Sequence, residues 1–114
     1  MNDTRDILVF VYGTLKRGQR NHGWIADSEY VGEETVRGFE MLDLEYYPAV
    51  IEGEGEVSGE LYRVMADVFR GLDYLESYPR LYNRMRVLTS RGEAWIYYFE
   101  SDKGLPRIES GVWR

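Results

Sequence analysis

The chain reads as an α+β protein, a small mixed-sheet barrel with one main helix. Three observations predict this class. Ile7–Tyr12 is a short continuous apolar run rich in β-branched and aromatic residues, as suits a strand buried on both faces. Ala66–Tyr78 carries the long apolar stripe of helical period. Strand-like stretches precede and follow that helix and fold back as hairpins, so the pattern is not a simple βαβ alternation.

The first element delivers a loop. After Tyr12 the apolar run breaks at Gly13, and Gly13 and Gly18 bracket a polar segment. Glycine has no Cβ, so the backbone is free to take φ > 0 and a ligand can approach its N–H groups closely. An ordinary strand and turn would give the same pattern. Gly13–Gly18 also matches the opening of a phosphate-binding loop. That loop needs Lys and then Ser/Thr next, to reach phosphates and magnesium. Gln19 and Arg20 stand there instead, so the nucleotide reading fails. The segment Lys16–His22 is a basic patch in an acidic protein, and His22, the only histidine, reads as a polar loop residue.

The following elements are shorter. Gly23–Ser28 suits one helical turn anchored by Trp24 and Ile25. Tyr30-Val31 and Thr35–Leu42 read as strand, with Gly38 marking a bulge or bend. Tyr46-Tyr47-Pro48 is a turn or strand entry, and Ala49–Ile51 is a short strand. Glu52–Glu56 alternates carboxylates with glycines and lacks a calcium-loop pattern, so it reads as a solvated hairpin tip. Val57–Val64 returns as a strand. Beyond the helix, Leu81–Thr89 and Glu93–Phe99 form a hairpin about Arg91-Gly92. Leu105–Arg114 is irregular and pinned by Trp113.

Pro79 is expected to end the helix. Met65, Val68, Phe69, Leu72 and Leu75 make its stripe. Glu76 follows Phe69 by seven residues and Leu72 by four, which places it within about 20° and 40° of them at ~100° per residue. A carboxylate therefore lies along the apolar face, with no Lys or Arg at pairing distance inside the helix. Two readings follow. Glu76 reaches water at the helix end, or it is a partly desolvated carboxyl of raised pKa suited to general acid/base work. Asp73 points further from the stripe and is expected to be solvated.

Composition narrows the function. The 114 residues are expected to form one domain, 1–114. Hydrophobic residues make up 44%, with ten Tyr, four Phe and three Trp, enough for a core. A net charge of −6 disfavours nucleic acid and anionic membrane as partners. With no cysteine there is no thiol nucleophile or thiolate metal site, and a reducing, cytoplasmic setting is expected. Met1–Asp6 does not read as a signal peptide. No metal or cofactor is expected.

Several stretches, in order, resemble one family. They are Val9–Gly18, Tyr47–Ile51, Gly59–Val64, Leu72–Ser77, Leu81–Arg84 and Ser110–Trp113. Together they resemble the γ-glutamylcyclotransferase-like, or AIG2-like, proteins. Val11–His22 and the Leu72–Arg84 region are most similar to the γ-glutamylamine cyclotransferase branch. The resemblance implies a small barrel with a cavity. It also implies that a γ-glutamyl amine or γ-glutamyl amino acid is converted to 5-oxoproline and free amine. It makes Glu76 the catalytic acid/base and Tyr12, Gly13, Thr14 and Leu15 the loop holding the glutamyl group. Tyr82 comes near the cavity, and the Tyr47–Ile51 stretch, with Val50 and Ile51, supplies wall.

The implied chemistry suits residues read independently. An intramolecular cyclisation carries its own nucleophile and electrophile, so it needs a near-attack shape and a proton carrier. Backbone N–H groups of Gly13–Leu15 would bind the substrate carboxylate or the developing oxyanion. The alternative is a non-catalytic small-molecule-binding or protein-interaction module on the same fold.

Overall fold

The computed structural model describes residues 7–114; the expectation for Met1–Asp6 lies outside them. Six strands and one α-helix follow the chain: β1 (Ile7–Val11), β2 (Glu29–Asp43), β3 (Pro48–Val64), α1 (Ala66–Leu75), β4 (Asn83–Thr89), β5 (Gly92–Tyr98) and β6 (Arg107–Ile108), with a 3-10 turn at His22–Trp24. They form a mixed sheet in the order β4-β5-β1-β3-β2-β6. β1 runs antiparallel to β3 from Ile7↔Val64 to Val11↔Glu60 and parallel to β5 at Val9↔Trp95. The sheet curls far enough for β2 to approach β4, giving a half-barrel.

β1 is central because both its faces are apolar. Val9 and Val11 pack under α1 with Tyr62, Val64, Leu72, Tyr97 and Phe99. Leu8, Phe10 and Tyr12 alternate with them and join a second buried cluster with Val57, Leu61 and Ile96. Such side chains each contribute roughly 1.5–3 kcal/mol on burial, so two covered faces fix the strand's register.

Two expectations need correction. Residues 48–64 form one strand, not two strands with a solvated tip at Glu52–Glu56. The hairpin turn lies earlier: the Leu44 N–H donates to the Tyr47 carbonyl (3.1 Å), and Glu45 takes φ 79°. The register shifts between Arg37 and Phe39, opposite Glu56 and Glu52, so the Gly-Glu run is a bulged part of the strand. A Cβ at Gly53 would sit 2.7 Å from the Glu40 carboxyl, which instead accepts the Glu54 N–H at 3.2 Å. Gly38, at φ 93°, marks the same bulge on β2, as read from sequence.

The helix is also shorter than expected. It ends at Leu75 rather than at Pro79, because Ser77 turns left-handed at φ 54°. The Ser77 N–H then donates to the Tyr74 carbonyl (3.1 Å) and the Tyr78 N–H to the Asp73 carbonyl (2.9 Å). This pair of bonds is the Schellman termination, which satisfies the last helical carbonyls. Glu76 is its C-cap.

Candidate active site

The loop after β1 is rigid by its own bonding. Lys16 N–H donates to the Gly13 carbonyl (3.1 Å) and Asn21 N–H to the Thr14 carbonyl (3.0 Å). Asn21 Nδ2 donates to Thr14 Oγ1 at 2.9 Å, and His22 Nδ1 sits 2.9 Å from the Leu15 carbonyl. Glu60 on β3 accepts both the Arg17 N–H (3.0 Å) and the Tyr62 hydroxyl (3.0 Å), fastening the loop to the sheet. Lys16 Nζ donates to the Trp113 carbonyl at 2.6 Å. Among the described residues, the N–H groups of Gly13, Thr14 and Leu15 donate to no turn or loop acceptor. They form a row of unspent donors at the carboxyl end of a central strand.

The reason for Gly13 differs from the expected one. It is absent from the glycines with positive φ, whereas Gly18 takes φ 83°. A Cβ at Gly13 would lie 2.7 Å from Cγ and 2.8 Å from Cδ of Pro48. Glycine is needed there so that the loop can lie flat against a rigid ring.

A cavity of about 250 Å³ opens between this loop and the end of α1. Tyr12, Gly13, Thr14, Leu15, Glu76 and Tyr82 all line it, so the structure brings these expected residues together. Val50 and Ile51 do not. Val50 is fully buried, and its carbonyl accepts the Phe99 N–H (2.8 Å). Ile51 packs against the core under α1. Tyr47 and Pro48 form the wall from that stretch.

Glu76 owes its place to the helix ending. The apolar stripe seats Leu72 in the core, and the C-cap conformation one turn later turns Glu76 into the cavity beside Leu75. Burial pushes its carboxyl up to about 7. Three tyrosines surround it, and burial lifts each hydroxyl, with the charge of Glu76 adding to that lift. Their hydroxyls are already engaged. Tyr12 donates to the Tyr97 carbonyl (2.7 Å), Tyr82 to the Pro48 carbonyl (2.7 Å), and Tyr97 to Asp73 Oδ1 (2.7 Å).

Asp73, expected to be solvated, is instead held in a network. Besides the Tyr97 hydroxyl, it accepts Nε and Nη2 of Arg84 at 2.9 and 3.2 Å. The Arg84 guanidinium lies 4.7, 4.2 and 4.5 Å from the ring centroids of Phe69, Tyr78 and Trp95. This cluster pins α1 to β4 and β5. Helical spacing gave no sign of it, because the partners come from strands beyond the helix. Tyr97, Leu81 and Arg20 also line the cavity and were missed as site residues. Alternation along β5 puts Tyr97 and Phe99 on the α1 face, a signal that was available.

The comparisons decide the family. The family described as gamma-glutamyl cyclotransferase, AIG2-like, matches residues 9–114. The chain belongs to this γ-glutamylcyclotransferase family. A Vibrio cholerae relative named as a candidate gamma-glutamylcyclotransferase is 41% identical, with 93% of this chain and 94% of that protein covered. The gamma-glutamylcyclotransferase family protein YtfP of Escherichia coli is 34% identical over 92% of this chain and 94% of its own. The crystal structure of an uncharacterised Pyrococcus horikoshii protein superposes with a TM-score of 0.84 at 28% identity, over 93% of this chain and 88% of that one. The chain thus shares its fold with the Pyrococcus horikoshii protein.

Proposed function

We propose that the protein is a cyclotransferase that converts a γ-glutamyl amine or γ-glutamyl amino acid to 5-oxoproline and a free amine, with Glu76 as general acid/base. The observation that carries this reading is that Glu76 lines the same cavity as Gly13–Leu15, whose backbone N–H groups are unspent. A carboxyl with a pKa of about 7 suits both halves of a proton transfer near neutral pH. Family membership supports the same reading.

The loop donors bind the glutamyl unit, and the cavity folds it so that its α-nitrogen faces its γ-carbonyl. The Glu76 carboxylate takes a proton from the α-ammonium. The freed amine attacks the γ-carbon, forming the ring C–N bond. Glu76 hands that proton to the departing nitrogen as the original amide C–N bond breaks, and the second proton shed by the ring nitrogen follows by way of the same carboxyl, leaving a lactam N–H and a protonated amine. Atoms and charge balance within substrate and one carboxyl, so the step calls on no residue as nucleophile. A chain without cysteine suits the cytoplasm as its setting.

The test is release of 5-oxoproline and amine in equal amounts from a panel of γ-glutamyl compounds. Glu76→Gln keeps the shape and loses the base, so turnover should fall at least ~10²-fold. Wild-type kcat/KM should decline as pH drops below about 7, as the base becomes protonated. A fully active Glu76→Gln enzyme would sink the assignment.

A further inference from the structure

Among the described residues the cavity has one cationic side chain in its lining, and the chemistry above leaves it unused. Arg20 lines the same space as Glu76 and Gly13. Unlike Gly13, Leu15 and Tyr12, which are buried, Arg20 is exposed, so it stands at the mouth beside the partly exposed Leu81. Among the described residues no carboxylate lies within ion-pair distance of it, although the protein carries twenty Asp and Glu. The cavity, at about 250 Å³, falls below the ~300–1,000 Å³ of typical ligand pockets. A cavity of that size would hold the reacting half of a substrate and leave the departing half to pass the mouth.

We propose that Arg20 is a specificity-determining residue that pairs with a carboxylate on the departing half of the substrate. The preferred substrates are then γ-glutamyl amino acids rather than γ-glutamyl amines without an acid group. This inference rests on the cyclotransferase reading and narrows its substrate class. The donors of Gly13–Leu15 serve the buried glutamyl end, so the cation at the mouth meets whatever the amide nitrogen carries outward. A guanidinium offers a planar fork that matches a carboxylate with two parallel bonds. At an exposed mouth this attraction acts on binding rather than on bond breaking, and salt screens it.

The experiment compares three substrates that differ at one group: γ-glutamyl-alanine, γ-glutamyl-alaninamide and γ-glutamylethylamine. Wild type should prefer the first by kcat/KM. Arg20→Ala should shrink that preference about tenfold, with the change in KM rather than kcat, and Arg20→Lys should restore part of it. Raising ionic strength should erode the wild-type preference in the same direction. Binding of γ-glutamyl-alanine to Glu76→Gln, with and without Arg20→Ala, is read by calorimetry alongside. Turnover of all three with no preference, or a preference unmoved by Arg20→Ala, overturns the role of Arg20 and leaves the cyclotransferase intact. No 5-oxoproline from any of the three, with Arg20-dependent binding retained, overturns the cyclotransferase and keeps the carboxylate contact. Neither turnover nor binding overturns both.

Discussion

Glu76 and Gly13 are the two residues on which the site turns, and each is placed by something other than its own preference. A carboxylate at a helix end ordinarily faces water. Here the cap turns it inward, and the rings around it have already spent their hydroxyls. Gly13 is held to glycine by Pro48, whose carbonyl is in turn fixed by the Tyr82 hydroxyl. The three form a stack from loop to wall. Gly13→Ala should push Pro48 aside, since the new Cβ would meet a rigid ring at 2.7 Å. Overpacking of this kind typically costs ~1–3 kcal/mol. A lowered melting temperature together with weakened 5-oxoproline binding checks it, and unchanged binding would show that the loop does not depend on that contact.

At the scale of elements, α1 acts as a lever whose position is set from outside. Its inner stripe packs on the sheet, while Asp73 reaches across to Arg84 on β4 and Tyr97 on β5. Arg84 is enclosed by three aromatic rings, so its charge depends on Asp73 for compensation. Asp73→Asn keeps the shape and removes that compensation. A loss of about 1–3 kcal/mol in chemical denaturation is expected, with a smaller fall in kcat than Glu76→Gln gives. A silent Asp73→Asn would mean that the ion pair is ornamental. Sequence reasoning found the helix from its local period of 3.6, and that period set Glu76 along the apolar face while leaving open whether it reached water; the cap, outside the helix, decides that. It missed the Asp73 network because Arg84 and Tyr97 are eleven and twenty-four residues away. It also split β3, since the exposed, bulged Gly-Glu run has no apolar residue whose alternation would mark it as strand.

Over the whole molecule, the buried β1 and the single helix were legible, because buried strands and amphipathic helices write their periods into the chain. The barrel-like curl of the sheet was expected as well, but the order of its strands was not, since that comes from pairings between distant segments. The fold as a whole bears the cost of holding Glu76 out of water. Its folded pKa, about 7 against a reference of 4.5, lies above the unfolded one, so the native state holds the proton more tightly. That contribution is complete below about pH 4.5 and is lost as pH rises through 7. Glu76→Gln should therefore match wild type at pH 4.5 and exceed it at pH 8, by up to about 3 kcal/mol. Denaturation at the two pH values measures the difference. A mutant less stable at pH 8 would mark Glu76 as a paired structural group.

The three committed tyrosine hydroxyls have one more consequence. None of the three is left to donate to a second negative charge beside Glu76, so an anion seated on the loop donors adds its field to that of the carboxyl. When 5-oxoproline binds above pH 7, its carboxylate raises the Glu76 pKa further, and the complex draws a hydrogen ion out of the buffer. The heat of binding at pH 8 should then depend on which buffer surrenders that ion. Tris and phosphate, with their unequal ionisation enthalpies, should give unequal heats for wild type and equal heats for Glu76→Gln. Equal heats for both proteins would mean that the cavity hydrates its guest instead of taking up a hydrogen ion with it.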